Sequence, residues 1–258
     1  MMAVRRVWNH NLEHEFALLR DFARYCPYIT IDTEYPGVVF ESPMHPRHLS
    51  PEQRCHLVMK NVNCLKLIQL GLTLSTSDSD GGIFITWEFN FRGFNPLQDL
   101  NAPSSVELLK SQGLDFWANY YYGVDPQRFS ALLWSSGLVC NPTKTWIGFH
   151  LAYDIAYLMK VLSGREFPDS MEAFLKLVRQ YFGSRVYDIK YLCKLRGICG
   201  GLEKVGSILD VKRAAGQAHH AGSDSLLTWH TFRSMKANFF RTGIEPKHAG
   251  IIFGIQES

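Results

Sequence analysis

Residues 28–37 read Tyr-Ile-Thr-Ile-Asp-Thr-Glu-Tyr-Pro-Gly. β-Branched and aromatic residues dominate the start, and Pro36-Gly37 is a strong breaker, so Tyr28–Phe40 has β character interrupted by a turn. Asp32 and Glu34 stand two positions apart, and the strand period of two turns both carboxylates to one face. Like charges on an apolar strand repel and are poorly solvated unless a cation neutralises them. Hard divalent ions such as Mg²⁺ or Mn²⁺ take carboxylate oxygens. The pair is therefore either the start of a metal site or the wet face of an edge strand.

Outward from this stretch, the pattern predicts a mixed α/β chain. Asn11 is placed to cap a helix in which Leu12, Phe16, Leu19 and Ala23 share one face. Ser42–Pro51 carries three prolines and reads as a loop. Leu65–Leu74 and Ile83–Phe89 read as strands, and the Ser/Asp/Gly run between them predicts an antiparallel pair. Ser104 with Glu107 has the spacing of a capping box, and Asp125-Pro126 opens a helix that stops at Gly137. Trp146–Phe149 is a short strand, His150–Leu162 a helix ending near Gly164, and Asp169 with Glu172 caps a helix running toward Gly183. Gly200-Gly201 precede a helix through Leu209, and the last long helix runs from about Ser223 to Phe240. Strands come early and helices late, with neither repeats nor a linker, which predicts one domain over 1–258 built on a mixed sheet.

Composition narrows the class without naming a function. The chain has 258 residues, 46% hydrophobic and 20% charged, within the range of an ordinary globular protein. Its longest uncharged apolar stretches are too short to span a bilayer, and residues 1–6 hold no apolar core of a secretory signal. The net charge of +3 excludes a histone-like polycation but not a local nucleic-acid groove. The basic excess concentrates in Ser184–Arg213, as a solvated face or a phosphate-binding surface. Six cysteines show no CxxC pair and no zinc spacing. Their apolar neighbours suggest small core residues in a reducing compartment.

Two more segments carry acids. In Trp-Ile-Gly-Phe-His-Leu-Ala-Tyr-Asp-Ile-Ala-Tyr-Leu, 146–158, Asp154 falls early in an apolar helix just after a strand. A single acid there is a dipole partner or a metal ligand, and His150 closes the strand end. In Ala-His-His-Ala-Gly-Ser-Asp-Ser-Leu-Leu-Thr, 218–228, His219 stands five positions before Asp224. Asp224 is either a helix cap or a ligand, and His219 either a surface residue or a general base.

Together the segments follow the order of the DEDD exonuclease superfamily, histidine subclass. DTEYPGVV, KLIQLGLTL, WEFNF, FHLAYDIAYL, YDIKYL, GGLEKV and HHAGSDSLLT occur in the order of the Caf/Pop-type poly(A) nucleases of the carbon catabolite repressor–NOT complex. The chain resembles that family from its first helix to the C-terminal HAGIIFGI. The resemblance implies a ribonuclease H-like fold and a 3′-to-5′ exoribonuclease that shortens poly(A) tails and releases 5′-AMP. It implies Asp32, Glu34, Asp154 and Asp224 as ligands of two divalent ions (Mg or Mn), with His219 as base and His220 a bystander. It also implies poly(A) RNA, a leucine-rich-repeat deadenylase and a large helical scaffold as partners, with no membrane, in the cytoplasm and nucleus. The alternatives are a scaffold subunit of little activity and a DEDD exonuclease of other RNA specificity. Lys190, Lys194 and Arg213 are candidate phosphate contacts, and Trp87, Phe91 and Tyr120–Tyr122 candidate base stackers.

Overall fold

The computed structural model describes residues 4–167 and 170–256. In chain order the strands are β1 (Val4–Val7), β2 (Tyr28–Glu34), β3 (Gln69–Ser75), β4 (Phe84–Asn90), β5 (Thr145–Gly148) and β6 (Val186–Asp188). The helices are α1 (Leu12–Ala23), α2 (Pro51–Cys64), α3 (Pro103–Ser111), α4 (Phe116–Tyr122) and α5 (Pro126–Trp134). After them come α6 (Ala152–Ser163), α7 (Met171–Phe182), α8 (Ile189–Lys194), α9 (Leu202–Ile208) and α10 (Ala221–Phe239). The strands form one sheet in the order β1-β4-β3-β2-β5-β6. β3 runs antiparallel to both β2 and β4, whereas the β1–β4, β2–β5 and β5–β6 pairs are parallel. This is the mixed α/β sheet flanked by helices that the patterning predicts.

β2 is a central strand, which removes the edge-strand reading of Asp32 and Glu34. Its alternation divides the molecule. Ile29 and Ile31 join Leu70, Leu72, Leu74, Trp87 and Phe89 in the large core shared with α1, α2, α5 and α6. Thr30, Asp32 and Glu34 face the other way, opposite Thr73, Gly71 and Gln69 of β3. Helix α10 lies over that polar face. The Thr30 hydroxyl donates to the Ser225 carbonyl at 2.8 Å, and Thr73 shares a hydrogen bond with the Ser225 hydroxyl at 3.0 Å.

Glycine lets α10 come so close. A Cβ on Gly71 would stand 1.8 Å from the Ala221 carbonyl oxygen, and one on Gly222 2.8 Å from the Glu88 Cβ. The pair seats the first turn of α10 directly above the row that holds Asp32.

Several local expectations change. Asn11 precedes α1 but does not cap it; its amide accepts from the Trp8 N–H and donates to the Arg6 carbonyl. The Ser104/Glu107 box does not form, because Pro103 at the first helical position starts α3 early and makes Ala102 the N-cap. A true capping box, Ser50 with Gln53, opens the unanticipated α2. Strands β1 and β6, of four and three residues, are also additions. Asp125 caps α5 as expected, and Gly164 closes α6 in the left-handed conformation. Asp169 lies outside the described residues, and the Ser170 side chain caps α7. α10 starts at Ala221, not Ser223, so Asp224 is not its cap. Cys26, Cys55 and Cys193 are buried, but Cys64, Cys140 and Cys199 are exposed despite apolar neighbours in sequence.

Candidate metal and nuclease site

Three unconnected segments deliver four acids to the C-terminal end of β2. Asp32 and Glu34 come from the strand itself. Asp154 comes from the first turn of α6, which follows β5, the parallel neighbour of β2. Asp224 comes from the first turns of α10. Both helix N-termini therefore point their partial positive ends at the same place.

Glu34, His219 and Asp224 each offer a ligand atom, all within 4.8 Å of one another. Asp32, Glu34, His219 and Asp224 line a cleft of about 470 Å³ whose opposite wall is the start and inner flank of α3. Glu34, Asp154 and Asp224 are buried and Asp32 is half-buried. The structure thus brings all five expected residues into one neighbourhood, with His219 exposed at its rim.

Electrostatics show that the cluster is short of positive charge. Burial, then the charges of Asp224 and Asp154, hold Asp32 and Glu34 well above the ordinary carboxylate range. Asp154 is pushed up to about 8, first by burial and partly by Asp188, although the Thr33 hydroxyl donates to its Oδ1 at 2.5 Å. Burial raises Asp224 as well, against the pull of Arg213 and a hydrogen bond from the His219 N–H. The Arg213 guanidinium lies 2.5 Å from Asp224 Oδ1 and also pairs with Glu203. Arg213 offsets Asp32, Glu34 and Asp224 only in part, and a bound cation would relieve the remaining repulsion.

The two helix starts are built alike. His219 holds φ +59° and His150 φ +62°, a left-handed conformation that costs a non-glycine residue about 1 kcal/mol or more. In each case a carboxylate takes the strained residue's N–H. The His219 N–H donates to Asp224 Oδ2 at 3.0 Å, and the His150 N–H to Asp188 Oδ1 at 2.9 Å. Asp188 is fully buried and also accepts from the N–H groups of Leu151, Lys190 and Phe253. It is the staple that fixes the start of α6, and hence Asp154. Sequence reading missed Asp188, although YDIKYL was one of the quoted segments. It also missed Thr33, whose position between Asp32 and Glu34 was the available signal.

His220 takes no part in the acid cluster. It is the N-cap residue of α10, buried, with Nε2 2.8 Å from the Gln112 carbonyl and Nδ1 3.9 Å from Glu88 Oε2. Lys190 spends its ammonium on the Gly200 carbonyl. Trp87 and Phe91 are core residues, so neither stacks bases.

The model for CAF1 family ribonucleases matches residues 7–130 and 130–232. The chain belongs to the CAF1 ribonuclease family. It is 42% identical over 261 residues to "Probable CCR4-associated factor 1 homolog 7" of Arabidopsis thaliana, covering 98% of this chain and 93% of that protein. It is 37% identical over 254 residues to the poly(A) ribonuclease pop2 of Schizosaccharomyces pombe, covering 98% and 75%. The Mg²⁺- and Mn²⁺-bound structure of that S. pombe protein matches with a TM-score of 0.90 at 36% identity, over 97% of this chain and 99% of the other. Yeast CAF1 co-crystallised with a NOT1 MIF4G domain matches with a TM-score of 0.76 at 28% identity, over 97% and 96%. The fold is the ribonuclease H-like exonuclease fold.

Proposed function

We propose that the chain is a metal-dependent 3′-to-5′ exoribonuclease that shortens poly(A) and releases 5′-AMP. Asp32, Glu34, Asp154 and Asp224 hold two divalent ions, and His219 is the general base. The observation that carries the reading is the convergence of Asp32, Glu34 and Asp224 on one cleft, with Asp154 of α6 near enough for its charge to raise Asp32 and Glu34. All-oxygen carboxylate donors fit Mg²⁺ or Mn²⁺ rather than a soft metal. The ions, when bound, supply Lewis acidity to the scissile phosphate and lower the pKa of the attacking water.

The chain's own residues do the rest. The Thr33 hydroxyl holds Asp154 by its Oδ1 and so orients the carboxylate. Asp224 both ligates and pins the turn that carries His219. The exposed His219 ring at the cleft rim takes the proton of the attacking water, and Arg213 turns from Asp224 to the phosphate. The 3′ end enters the cleft, where Tyr35 is already held against Tyr153 and Tyr157 with ring centroids 5.0 and 4.9 Å away.

The adenine preference is supported by the relative named a poly(A) ribonuclease. A large helical scaffold partner is supported by the yeast CAF1–NOT1 structure. A leucine-rich-repeat deadenylase partner, and residence in cytoplasm and nucleus, extend the same reading. The test is a side-by-side time course on labelled poly(A) and mixed-sequence RNA in Mg²⁺. Faster stepwise shortening of poly(A) from the 3′ end supports the assignment. Equal rates remove the adenine preference, and endonucleolytic fragments remove the exonuclease.

A further inference from the structure

Tyr120, Tyr121 and Tyr122 fare differently from Trp87 and Phe91. They are 46%, 61% and 55% exposed, and Trp117, one turn earlier on α4, is 61% exposed. The rings form one surface: Trp117 packs on Tyr121 with centroids 4.6 Å apart, and Tyr120 meets Tyr121 edge-on at 5.2 Å. Four large aromatics left in water on two turns of helix are not core residues, and a contiguous exposed patch of this kind marks a binding surface. Trp117, Tyr120 and Tyr121 line a trough of about 940 Å³, closed on its far side by α3.

α3 ties the trough to the acidic cleft. Ser105, Leu108 and Leu109 line the cleft, whereas Val106, Glu107 and Lys110 of the same helix line the trough. The turn after α3 closes the join: the Gln112 carbonyl bonds the His220 ring, and Gly113, part of the trough wall, packs beside Gln217. The loop that carries His219 therefore meets the turn that ends α3, beside the trough wall.

We propose that the aromatic face of α4 is a stacking platform for single-stranded RNA, engaging the nucleotides upstream of the 3′ end held in the acidic cleft. The proposal rests on the reading of that cleft as the nuclease site. Every base has a π-face, so stacking holds any sequence in place while a chain is shortened from its end. The rings pack on one another before RNA arrives, which lowers the ordering cost of binding. Lys110 supplies a cation to the backbone within the trough, whose lining also holds Glu107 and Asp115. A helix is about 10–12 Å across and stacked nucleotides advance about 3.4 Å each, so about three or four nucleotides separate the cleft from the platform. An oligo(A) of about three nucleotides is too short to feel α4 on this geometry; one of about 12 reaches it.

The experiment uses the full chain with labelled oligo(A) in EDTA, so that binding is read by anisotropy without cleavage. Trp117→Ala and Tyr121→Ala should each weaken binding of the roughly 12-nucleotide oligo(A) by about 5- to 100-fold, the range for losing one base–aromatic stack. Trp117→Phe and Tyr121→Phe should restore most of it. Both alanine variants should hydrolyse the three-nucleotide substrate in Mg²⁺ at the wild-type rate. On the wild-type protein, a long oligomer that is abasic upstream of its last three nucleotides should bind as weakly as the short one. Unchanged affinity of the long oligo(A) in both alanine variants, or equal binding of the abasic oligomer, overturns the proposal. Ring-dependent binding of a proline-rich peptide, with none of oligo(A), overturns it in favour of a protein partner. Ring-dependent RNA binding by a wild-type protein that hydrolyses nothing removes the nuclease reading and leaves the platform standing.

Discussion

Replacing Asp154 with Asn should stabilise the metal-free protein at neutral pH while abolishing its response to metal. Asp154 has an ordinary pKa of 3.8 and is pushed up to about 8 in the fold. Its destabilising effect is absent below the ordinary carboxylate range, grows as pH rises toward 8, and levels off above that. At about 1.4 kcal/mol per unit, holding it at pH 7 costs about 4 kcal/mol. The asparagine Oδ1 keeps the Thr33 hydrogen bond, so little is lost in exchange. Because the Asp154 charge raises Asp32 and Glu34, removing it also relieves them. A gain of about 2–4 kcal/mol corresponds to about 6–12 °C in Tm for a chain of this size. The assay is thermal unfolding in EDTA at pH 4, 7 and 8.5, repeated with Mn²⁺. The variant should exceed wild type at pH 7 and 8.5 and match it at pH 4. Mn²⁺ should raise the wild type and leave the variant nearly unmoved. A variant less stable than wild type at pH 8.5, or a difference that does not vary with pH, would refute the argument that uncompensated charge dominates this site.

Asp32→Asn should fold normally and lose nearly all nuclease activity, as read by circular dichroism beside a poly(A) assay; full Mg²⁺-dependent activity would contradict the ligand assignment. His219→Ala should lower turnover at saturating Mg²⁺ by about 10²–10⁴-fold, the usual worth of a general base. His220→Ala should instead cost about 1–2 kcal/mol of stability in urea unfolding, through its lost bond to the Gln112 carbonyl, with a much smaller loss of turnover. A larger turnover loss for His220→Ala would shift the base by one residue. Gly71→Ala should destabilise by about 3 kcal/mol or more and weaken Mn²⁺ binding together, since its Cβ would meet the Ala221 carbonyl at 1.8 Å and lift α10 with Asp224. A soluble, fully active Gly71→Ala protein would mean α10 has slack that the packing denies.

Most of the fold visible in sequence lay in long periodic segments, although the 14-residue α2 went unread and the four-residue β5 was read. β2, β3 and β4 run seven residues each, and α1, α6 and α10 carry apolar faces over 12 residues or more. β1 and β6, of four and three residues, take their identity from the strand they pair with. Asn11 and Ser104 show why capping residues mislead: a polar side chain commits to whichever backbone group the fold brings near, and a proline next door resets the helix start. The candidate acids were legible as types and spacings, but their burial was not. Asp224 reads equally as a cap in sequence, and the start of α10 at Ala221 removes that reading. Asp188 and Thr33 went unread as site residues, since their partners lie 38 and 121 positions away.

The central claim is that these four acids make a metal-dependent nuclease. It is tested most directly by incubating the purified chain with oligo(A), with Mg²⁺ or Mn²⁺ or with excess EDTA, and quantifying free nucleotide. The account predicts stepwise loss of 3′ residues as 5′-AMP in either metal, none in EDTA, and recovery when metal is restored. Equal hydrolysis in EDTA, or no 5′-AMP in either metal from a folded protein, would contradict it.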